Sequence, residues 1–253
     1  MTLFNTFHKL EHQFFSLLSF EQMNLSCLNA YATGVKASNL NPAILNTVNS
    51  CLKEDILSCA SFYRQKSLPW SIILPDYLCT KDILSLLNTE KLLLIDKGIA
   101  MQIVLNPSNF VPSLLNISEM KQALETWSIP LLHGFESTPD IMDIYIKQHQ
   151  MAVQTNDNIY HFTGFIKGKP ICSLTLSIYE DSARLDDIAT IPAYQKKGYA
   201  TELTHAALHH AFCLGIKTCF LEAATSGLNV YKRIGFQPLF TNLYYEDDKE
   251  FVG

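Results

Sequence analysis

One stretch of the sequence, residues 186–211 (DDIATIPAYQKKGYATELTHAALHHA), joins a short apolar run to a long helical pattern through a cationic loop. Pro192 lacks a backbone N–H and ends the predicted strand, and the helix is predicted to begin near residue 200. Residues 195–200 therefore lie at a helix N-terminus, where unpaired N–H groups and the positive end of the helix dipole point outward. Gly198 has no Cβ and Ala200 is small, so a large anion can approach this backbone closely. The pattern predicts a diphosphate-binding turn, although an ordinary connection with solvated lysines has the same local sequence.

The composition limits what else the chain can bind. With 253 residues, of which 48% are hydrophobic and 17% charged, the chain can form one large or two modest domains. A formal net charge of −5 gives no global positive field, which argues against nucleic acid and anionic membranes as partners. Seven cysteines without a C-x-x-C pair are typical of reduced, buried thiols.

The first 20 residues, MTLFNTFHKLEHQFFSLLSF, have apolar side chains at steps of three and four, which predicts an amphipathic helix. They lack the continuous apolar core and the cleavage site of a signal peptide. No segment approaches the roughly 20 apolar residues of a membrane span. We therefore expect a cytoplasmic protein that does not bind a membrane.

Prolines and asparagines are densest between Leu105 and Met120, which predicts a linker and a division into residues 1–120 and 121–253. In the C-terminal half, Gly168 lies between two apolar runs and predicts a hairpin, and later segments alternate between strand and helix. A mixed α/β fold follows, in which helices cover a sheet. The predicted N-terminal order is helix, loop over 31–45, helix around 46–65, strand 70–75, helix 80–87, and strands near Leu92 and Met101. The predicted C-terminal order is helix 139–150, strands 159–166, 170–179 and 183–191, helix 201–214, strand 217–224, helix 227–234 and strand 236–245.

Two C-terminal motifs resemble those of the GNAT superfamily of acyl-CoA-dependent N-acyltransferases. IATIPAYQKKGYATEL resembles the family's strand, proline, Q/R-x-x-G-x-G/A loop and helix, and VYKRIGF resembles its L-Y-x-x-x-G-F ending. The segments YATGV, NPAILN and PWSIILP look like the leading half of bacterial two-domain GNAT proteins. The resemblance implies a GNAT fold, with a central mixed sheet between helices in residues 121–253. It also implies a degenerate GNAT-like domain in residues 1–120, which lacks such a loop and forms a wall of the acceptor cleft.

The resemblance implies acetyl-CoA as the cosubstrate, no metal, and roles for particular positions. Backbone groups at the end of the strand before the loop would pair with the pantetheine amides. Backbone N–H groups from Lys196 to Thr201 would hold the pyrophosphate, and the lysines would attract the 3'-phosphate. The predicted cofactor-binding residues are Ala189, Thr190, Ile191, Gln195, Lys196, Lys197, Gly198, Tyr199, Ala200, Thr201 and Ser226.

The same resemblance places Tyr231 where many family members use a tyrosine hydroxyl to protonate the departing CoA thiolate, although a tyrosine here can also only pack beneath the cofactor. The family's frequent asparagine is replaced by Ala224, and Thr225 or Ser226 can supply the missing polar contact. An acceptor amine must lose a proton before it attacks the thioester. Glu222 is the predicted acceptor of that proton.

Other carboxylates compete with Glu222 for the role of base. Strand alternation predicts that Asp186 and Asp187 lie on opposite faces, so that only one reaches the cleft. Glu136 is a further candidate for contact with the substrate. For each of these carboxylates, simple surface solvation is the alternative. His205 and His209 stand four residues apart, but no zincin pattern accompanies them, so we interpret them as helix-surface residues and predict no metal.

Together these features predict an N-acetyltransferase that moves an acetyl group from acetyl-CoA directly to a primary amine of a small molecule or peptide. A protein that binds acyl-CoA without turnover, as a sensor or interaction module, is the alternative. An enzyme that modifies a nucleic-acid-linked amine is disfavoured by the acidic balance. The acceptor and the oligomeric state stay open.

Overall fold

The computed structural model describes residues 2–106 and 115–247, and these residues form two compact units. The first unit comprises Met1–Leu17 and Ala100–Leu239, and the second comprises Leu18–Ile99 and Phe240–Gly253. Each unit is therefore built from segments that are distant in sequence, whereas the predicted division cuts the chain once at residue 120. The single boundary at residue 120 stays a prediction. The central part of the predicted linker, residues 107–114, lies outside the described residues.

The first unit contains a mixed sheet with the strand order β10-β9-β8-β7-β6. Neighbouring strands are antiparallel except for β9 and β10, which are parallel. Its helices are α1 (Leu3–Leu18), α4 (Leu124–Gly134), α5 (Pro139–Thr155), α6 (Tyr199–Cys213) and α7 (Leu228–Ile234). Its strands are β6 (Asn116–Glu119), β7 (Ile159–Ile166), β8 (Lys169–Tyr179), β9 (Ser182–Thr190) and β10 (Thr218–Ala224).

The second unit has the strand order β1-β2-β3-β4-β11, in which only β3 and β4 are parallel. Its core includes Trp70 stacked on Tyr63, with ring centroids 5.2 Å apart. Its helices are α2 (Leu52–Gln65) and α3 (Lys81–Thr89), and its strands are β1 (Glu21–Asn24), β2 (Leu28–Ala32), β3 (Pro42–Leu45) and β4 (Ser71–Pro75). Strands β5 (Leu92–Val104) and β11 (Gln237–Asp247) contribute residues to both units.

The amphipathic helix predicted at the N-terminus is present as α1. Its buried stripe includes Phe7, Leu10 and Phe14, at steps of three and four residues. Phe7 packs edge-on against Phe220 of β10, with ring centroids 6.4 Å apart. Glu11, which the pattern counts among the polar residues, is only 1% exposed and accepts a bond of 3.0 Å from His8 if that imidazole carries the proton on Nδ1.

The hairpin of β7 and β8 confirms the turn predicted at Gly168. Lys167 and Gly168 have φ values of 49° and 75°, and two consecutive positive φ values are typical of the turns that join twisted strands tightly. Among the described residues, no helix is long and apolar enough to span a membrane.

Several elements differ from the predictions. The loop predicted over residues 31–45 is wrong, because β3 lies within it and β2 enters it; β3 is completely buried and therefore shows no alternation. The helix predicted from about residue 46 begins only at Leu52, after a turn in which the Asn49 side chain accepts a bond from the N–H of Cys51 at 2.8 Å. The two strands predicted near Leu92 and Met101 are one strand, β5.

Helix α4 was not predicted at all, because it contains Pro130 and ends at Gly134, two residues that usually interrupt helices. Tertiary burial overrides those local preferences. The Trp127 side chain is fully buried, and its indole N–H donates to the carbonyl oxygen of Leu174 on β8 at 3.2 Å.

Candidate active site

The two parallel strands of the first unit separate towards their C-terminal ends. Strands β9 and β10 are paired from Ser182 opposite Thr218 to Leu185 opposite Leu221. Beyond that point β9 continues to Thr190 and β10 to Ala224, and no further pair joins them among the described residues. The edge of β9 that faces β10 is therefore open, and an extended ligand with amide groups can pair with it as an added strand.

A bulge in β9 coincides with this separation. The pairing of β9 with β8 shifts by one residue between Ser173 opposite Ala189 and Thr175 opposite Asp186. Asp187, in the extra position, has a φ of 56° in the left-handed region. A bulge of this kind bends its strand and increases its twist. The strand thus turns away from its partner at the place where the open edge begins.

The bulge makes the predicted alternation of Asp186 and Asp187 wrong. Asp187 accepts a hydrogen bond from Tyr145 of α5, and Asp186 is bonded to Arg184, whose guanidinium lies 4.8 Å from the ring centroid of Phe7 on α1. Helices α1 and α5 meet where Phe14 packs on His149, with ring centroids 6.3 Å apart. Both carboxylates therefore face the same helical layer.

The loop after β9 forms the N-terminus of α6. Residues Pro192–Tyr194 form one 3-10 turn, and Gly198 precedes the first helical residue, Tyr199. Gly198 has a φ of 88°, and a Cβ built there would meet no atom within 4 Å. The glycine is therefore required by the left-handed backbone, and the space in front of the helix N-terminus is open.

Side chains of the loop hold it in place. The Gln195 side chain donates to the carbonyl oxygen of Thr190 at 3.1 Å, and the Lys197 ammonium donates to the carbonyl oxygen of Ala193 at 2.9 Å. Lys196 and Lys197 are both exposed. Among the predicted cofactor-binding residues, Ala200 and Thr201 lie half-buried in the first turn of α6.

The three predicted pantetheine contacts do not have the same backbone environment. The N–H of Ile191 donates to the carbonyl oxygen of Ile171 at 2.9 Å, and its own carbonyl accepts from Tyr194 at 2.8 Å. Its backbone is thus already engaged. Backbone groups alternate along a strand, so those of Ala189, opposite Ser173, are directed at β8 as well. Those of Thr190 are directed at the open edge of β9, where its carbonyl oxygen accepts from Gln195.

Gly134, at the end of α4, supports this part of β9 and was missed by the sequence reasoning. A Cβ at Gly134 would lie 3.0 Å from the Cβ of Ala189 and 3.2 Å from the carbonyl oxygen of Thr190. Both distances are too short for an unperturbed side chain.

We expect Gly134→Ala to destabilise the first unit by roughly 1–3 kcal/mol through overpacking. The gain in helix propensity, at most about 1 kcal/mol, opposes this loss. Thermal unfolding and acetyl-CoA titration measure both consequences, and we expect a lower midpoint together with weaker binding. An unchanged or higher midpoint would contradict the close contact with β9.

Tyr231 lies on α7, which follows β10. A Cβ at Gly227 would be 3.2 Å from Cε2 of Tyr231, so the ring lies against that glycine, and Phe236 packs on it with centroids 6.1 Å apart. Burial raises the pKa of Tyr231 to about 12, so the phenol keeps its proton at neutral pH. Its hydroxyl makes no hydrogen bond with any described residue. The turn before α7 exposes Ala224, Thr225 and Ser226.

Glu222 is the first residue of β10 beyond the paired segment, and it is half-buried. It lies near Arg184, whose pKa burial would lower but the negative charges of Asp186, Glu11 and Glu222 raise. The Arg184 Nε lies 2.9 Å and 3.0 Å from the two carboxylate oxygens of Asp186. Burial nevertheless raises the pKa of Asp186.

Of the remaining candidates, Glu136 and His209 are exposed, and His205 is half-buried. Glu136 is exposed in the turn after α4, with a φ of 52°. On α6, His209 Nε2 lies 3.6 Å from the sulfur of Cys213. Within residues 2–106 and 115–247, no group of three or more metal-ligating side chains could hold an ion.

Comparison with known proteins adds to this geometry. Residues 121–236 match the family model described as "Acetyltransferase (GNAT) family". No curated protein matches the sequence. The structure is similar to a GCN5-related N-acetyltransferase from Kribbella flavida, with 12% identity and a TM-score of 0.70, over 97% of this chain and 96% of that one.

Two further solved structures share the fold. A GCN5-related N-acetyltransferase from Sphaerobacter thermophilus has 11% identity and a TM-score of 0.63, over 87% of this chain and 76% of that one. A tandem GNAT protein from the clavulanic acid biosynthesis pathway has 10% identity and a TM-score of 0.61, over 86% of this chain and 77% of that one. At these identities the likeness shows the fold alone, and it confirms the predicted mixed sheet between helices. Residues 121–236 thus match the GNAT acetyltransferase family, and the fold of the chain is similar to that of solved GNAT proteins, one of them a tandem GNAT protein.

Proposed function

We propose that the protein is an N-acetyltransferase that moves the acetyl group of acetyl-CoA directly to a primary amine of a small molecule or peptide. The observation that carries this proposal is the open edge of β9 followed at once by the Gly198 turn at the N-terminus of α6. An extended pantetheine with a diphosphate at its end requires such a sequence of amide-pairing strand and anion-binding turn.

In this proposal the cosubstrate is bound mainly by backbone. Thr190, beside Ala189, pairs with a pantetheine amide at the open edge of β9, and N–H groups between Lys196 and Thr201 hold the pyrophosphate. The exposed lysine side chains add at most about 1 kcal/mol each. Ser226, exposed before α7, supplies a further polar contact.

The proposed chemistry needs a proton donor for the departing thiolate. Tyr231 suits this role because it is protonated at neutral pH and its hydroxyl makes no hydrogen bond with any described residue. Glu222, at the start of the open segment of β10, is a proposed acceptor of the amine's proton. When bound, acetyl-CoA supplies the activated acyl group as a thioester.

Direct transfer is supported by the state of the buried thiols. Burial raises the pKa of Cys172 to about 12 and that of Cys219 further, so both stay protonated at neutral pH. A protonated thiol is a poor nucleophile. Neither residue is therefore activated to carry the acetyl group as a covalent intermediate.

The proposal is tested by measuring free CoA thiol released from acetyl-CoA, with and without a panel of primary amines. We expect release that depends on an amine, with acetylated amine detected by mass spectrometry. Longer acyl-CoA donors tested in parallel measure acyl-chain preference. If acetyl-CoA stabilises the protein against heat but no amine elicits CoA release, the protein binds acyl-CoA without turnover.

A further inference from the structure

A buried polar cluster behind β9 takes no part in the transfer described so far. It lies within the first unit and combines side chains from one helix and three strands. Its members are Asp187 of β9, Tyr145 and His149 of α5, His161 of β7 and Thr175 of β8. Burying polar side chains costs free energy unless each of them has a hydrogen-bond partner. A buried cluster with this composition therefore suggests a role other than packing.

Asp187 is the acidic centre of the cluster and sits at the bulge where β9 leaves β10. The hydroxyl of Tyr145 donates to Oδ1 at 2.7 Å, and that of Thr175 donates to Oδ2 at 2.7 Å. Each carboxylate oxygen has two lone pairs, so each retains room for a second donor. The side chain is 10% exposed, so it is not completely shielded from solvent.

The two histidines beside Asp187 do not neutralise it. His149 Nε2 is 3.7 Å from Oδ2 of Asp187, and His149 Nδ1 is 2.8 Å from Nε2 of His161. Burial lowers the pKa of His149 well below its usual range and that of His161 to about 3. Both imidazoles are therefore neutral in the folded protein at neutral pH.

The other ionisable groups around Asp187 compensate its charge only in part, because the charge of Arg184 lowers the pKa of Asp187 less than burial and Asp186 raise it. Arg184 is bonded to Asp186 on the same strand, and it also lies in the field of Glu11 from α1 and Glu222 from β10. Tyr145 of α5 keeps its proton because burial raises its pKa well above the usual range. Of the groups that directly contact Asp187, the two hydroxyl donors alone stabilise its ionised form among the described residues.

This environment gives Asp187 the properties of a base at neutral pH. Burial, and secondly the charge of Asp186, raise its pKa to about 7, while the hydrogen bonds from Tyr145 and Thr175 act in the opposite direction. A general base works best when its pKa lies near the working pH. An ordinary aspartate, ionised at pH 4, would be too weak a base to take a proton from an amine efficiently.

We propose that Asp187, in place of Glu222, accepts the proton that the acceptor amine loses, and that Tyr145 and Thr175 are positioning residues that hold its carboxylate ionised. This inference rests on the proposed acetyl transfer. The N–H bond of the ammonium form breaks, an O–H bond forms on Asp187, and the nitrogen lone pair attacks the thioester carbonyl carbon. The C–S bond then breaks, the thiolate receives the proton of the Tyr231 hydroxyl, and the second proton that the amine nitrogen loses restores that hydroxyl through solvent. Asp187 returns its proton to solvent, so one proton is released for each amine acetylated.

The test compares the pH dependence of kcat/KM for acetyl transfer in the wild-type protein and in single variants. We expect the wild-type rate to fall on the acidic side of about pH 7, following Asp187. Asp187→Asn should lose roughly 100-fold or more in kcat/KM, together with this acidic limb. Loss of one hydrogen bond to a carboxylate, in Tyr145→Phe or Thr175→Val, should move the limb upward by about one pH unit.

Thr163→Val is the matched control for Thr175→Val. Thr163 is also fully buried in the sheet, and its hydroxyl pairs with that of Ser173 at 3.0 Å and not with Asp187. Both variants lose one buried hydroxyl, so a merely structural effect would appear in both. We expect the acidic limb to move in Thr175→Val only.

Stability provides a second readout. The pKa of Asp187 is higher in the folded protein than the value of about 3.9 in an unfolded chain, so the folded state binds this proton more tightly between about pH 4 and pH 7. The ionised carboxylate therefore costs stability above pH 7. Asp187→Asn should unfold at pH 8 at a temperature no lower than the wild-type protein, although it is nearly inactive.

The possible failures are distinguishable. If the wild-type protein acetylates an amine and Asp187→Asn keeps its rate and its acidic limb, the role of Asp187 is overturned and the transferase proposal stands. If no amine is acetylated, the proposed transfer fails and the role of Asp187 fails with it. A carboxyl ¹³C titration tests the proton affinity of Asp187 without turnover, and a midpoint in the ordinary aspartate range would also overturn the inference.

Discussion

Tyr231→Phe is expected to lower kcat by roughly 100- to 10,000-fold, the usual contribution of one proton donor, while leaving the affinity for acetyl-CoA nearly unchanged. Phenylalanine keeps the ring that lies against Gly227 and packs on Phe236, so the fold of α7 is preserved. The hydroxyl alone is lost. Steady-state rates of CoA release, measured with a saturating amine, give kcat, and a titration of the unfolding temperature gives the affinity.

Tyr160→Phe is the matched control for this variant. Tyr160 is also half-buried, and its ring packs on the imidazole of His210 at 4.7 Å, on a different part of the sheet. We expect this control to keep its turnover. A Tyr231→Phe protein as active as the control would show that Tyr231 only packs beneath the cosubstrate.

Gly198→Glu is expected to abolish the stabilisation by acetyl-CoA. In the wild-type protein, ligand at one hundred times its Kd adds about 2.7 kcal/mol, or roughly 5–10 °C in unfolding temperature for a chain of this size. Glutamate brings a Cβ and a negative charge into the open space before α6, where the proposed pyrophosphate binds. The added bulk and the negative charge both weaken the binding of an anion at this turn.

Gly168→Glu separates this effect from backbone strain. Gly168 has a φ of 75°, close to the 88° of Gly198, and a Cβ at either position would meet no atom within 4 Å. Both variants therefore lose a similar amount of intrinsic stability, but only Gly198 lies at a helix N-terminus. We expect Gly168→Glu to retain the full shift with acetyl-CoA. A shift that survives in Gly198→Glu would mean that the loop is an ordinary turn.

The sequence predicts most of the first unit because its strands alternate and its turns carry strong local signals. Gly168 and Pro192 end strands where a backbone requirement demands them, and the boundaries they imply are close to those of β7, β8 and β9. The second unit is less predictable. Its first three strands are four or five residues long, and the fully buried β3 gives no alternation to detect.

The candidate site also has one part that the sequence predicts and one part that it does not. The turn at Gly198 can be predicted because its glycine, lysines and helix start are consecutive in sequence. The contact of Tyr145 with Asp187 joins residues that are 42 positions apart, and it depends on a bulge that removes the expected alternation of Asp186 and Asp187. No local sequence pattern predicts the contact or the bulge. The sequence therefore predicts where the cosubstrate's anion binds better than which carboxylate accepts a proton.

The early separation of β9 from β10 has a consequence for the lifetime of the protein. A ligand that pairs with the amide and carbonyl groups of the open edge supplies the bonds of a missing strand. Such a ligand binds the folded chain and not the unfolded one, so its concentration sets the population of open, protease-sensitive molecules. We therefore expect acetyl-CoA, the proposed cosubstrate, to slow proteolysis of the folded protein as its concentration rises.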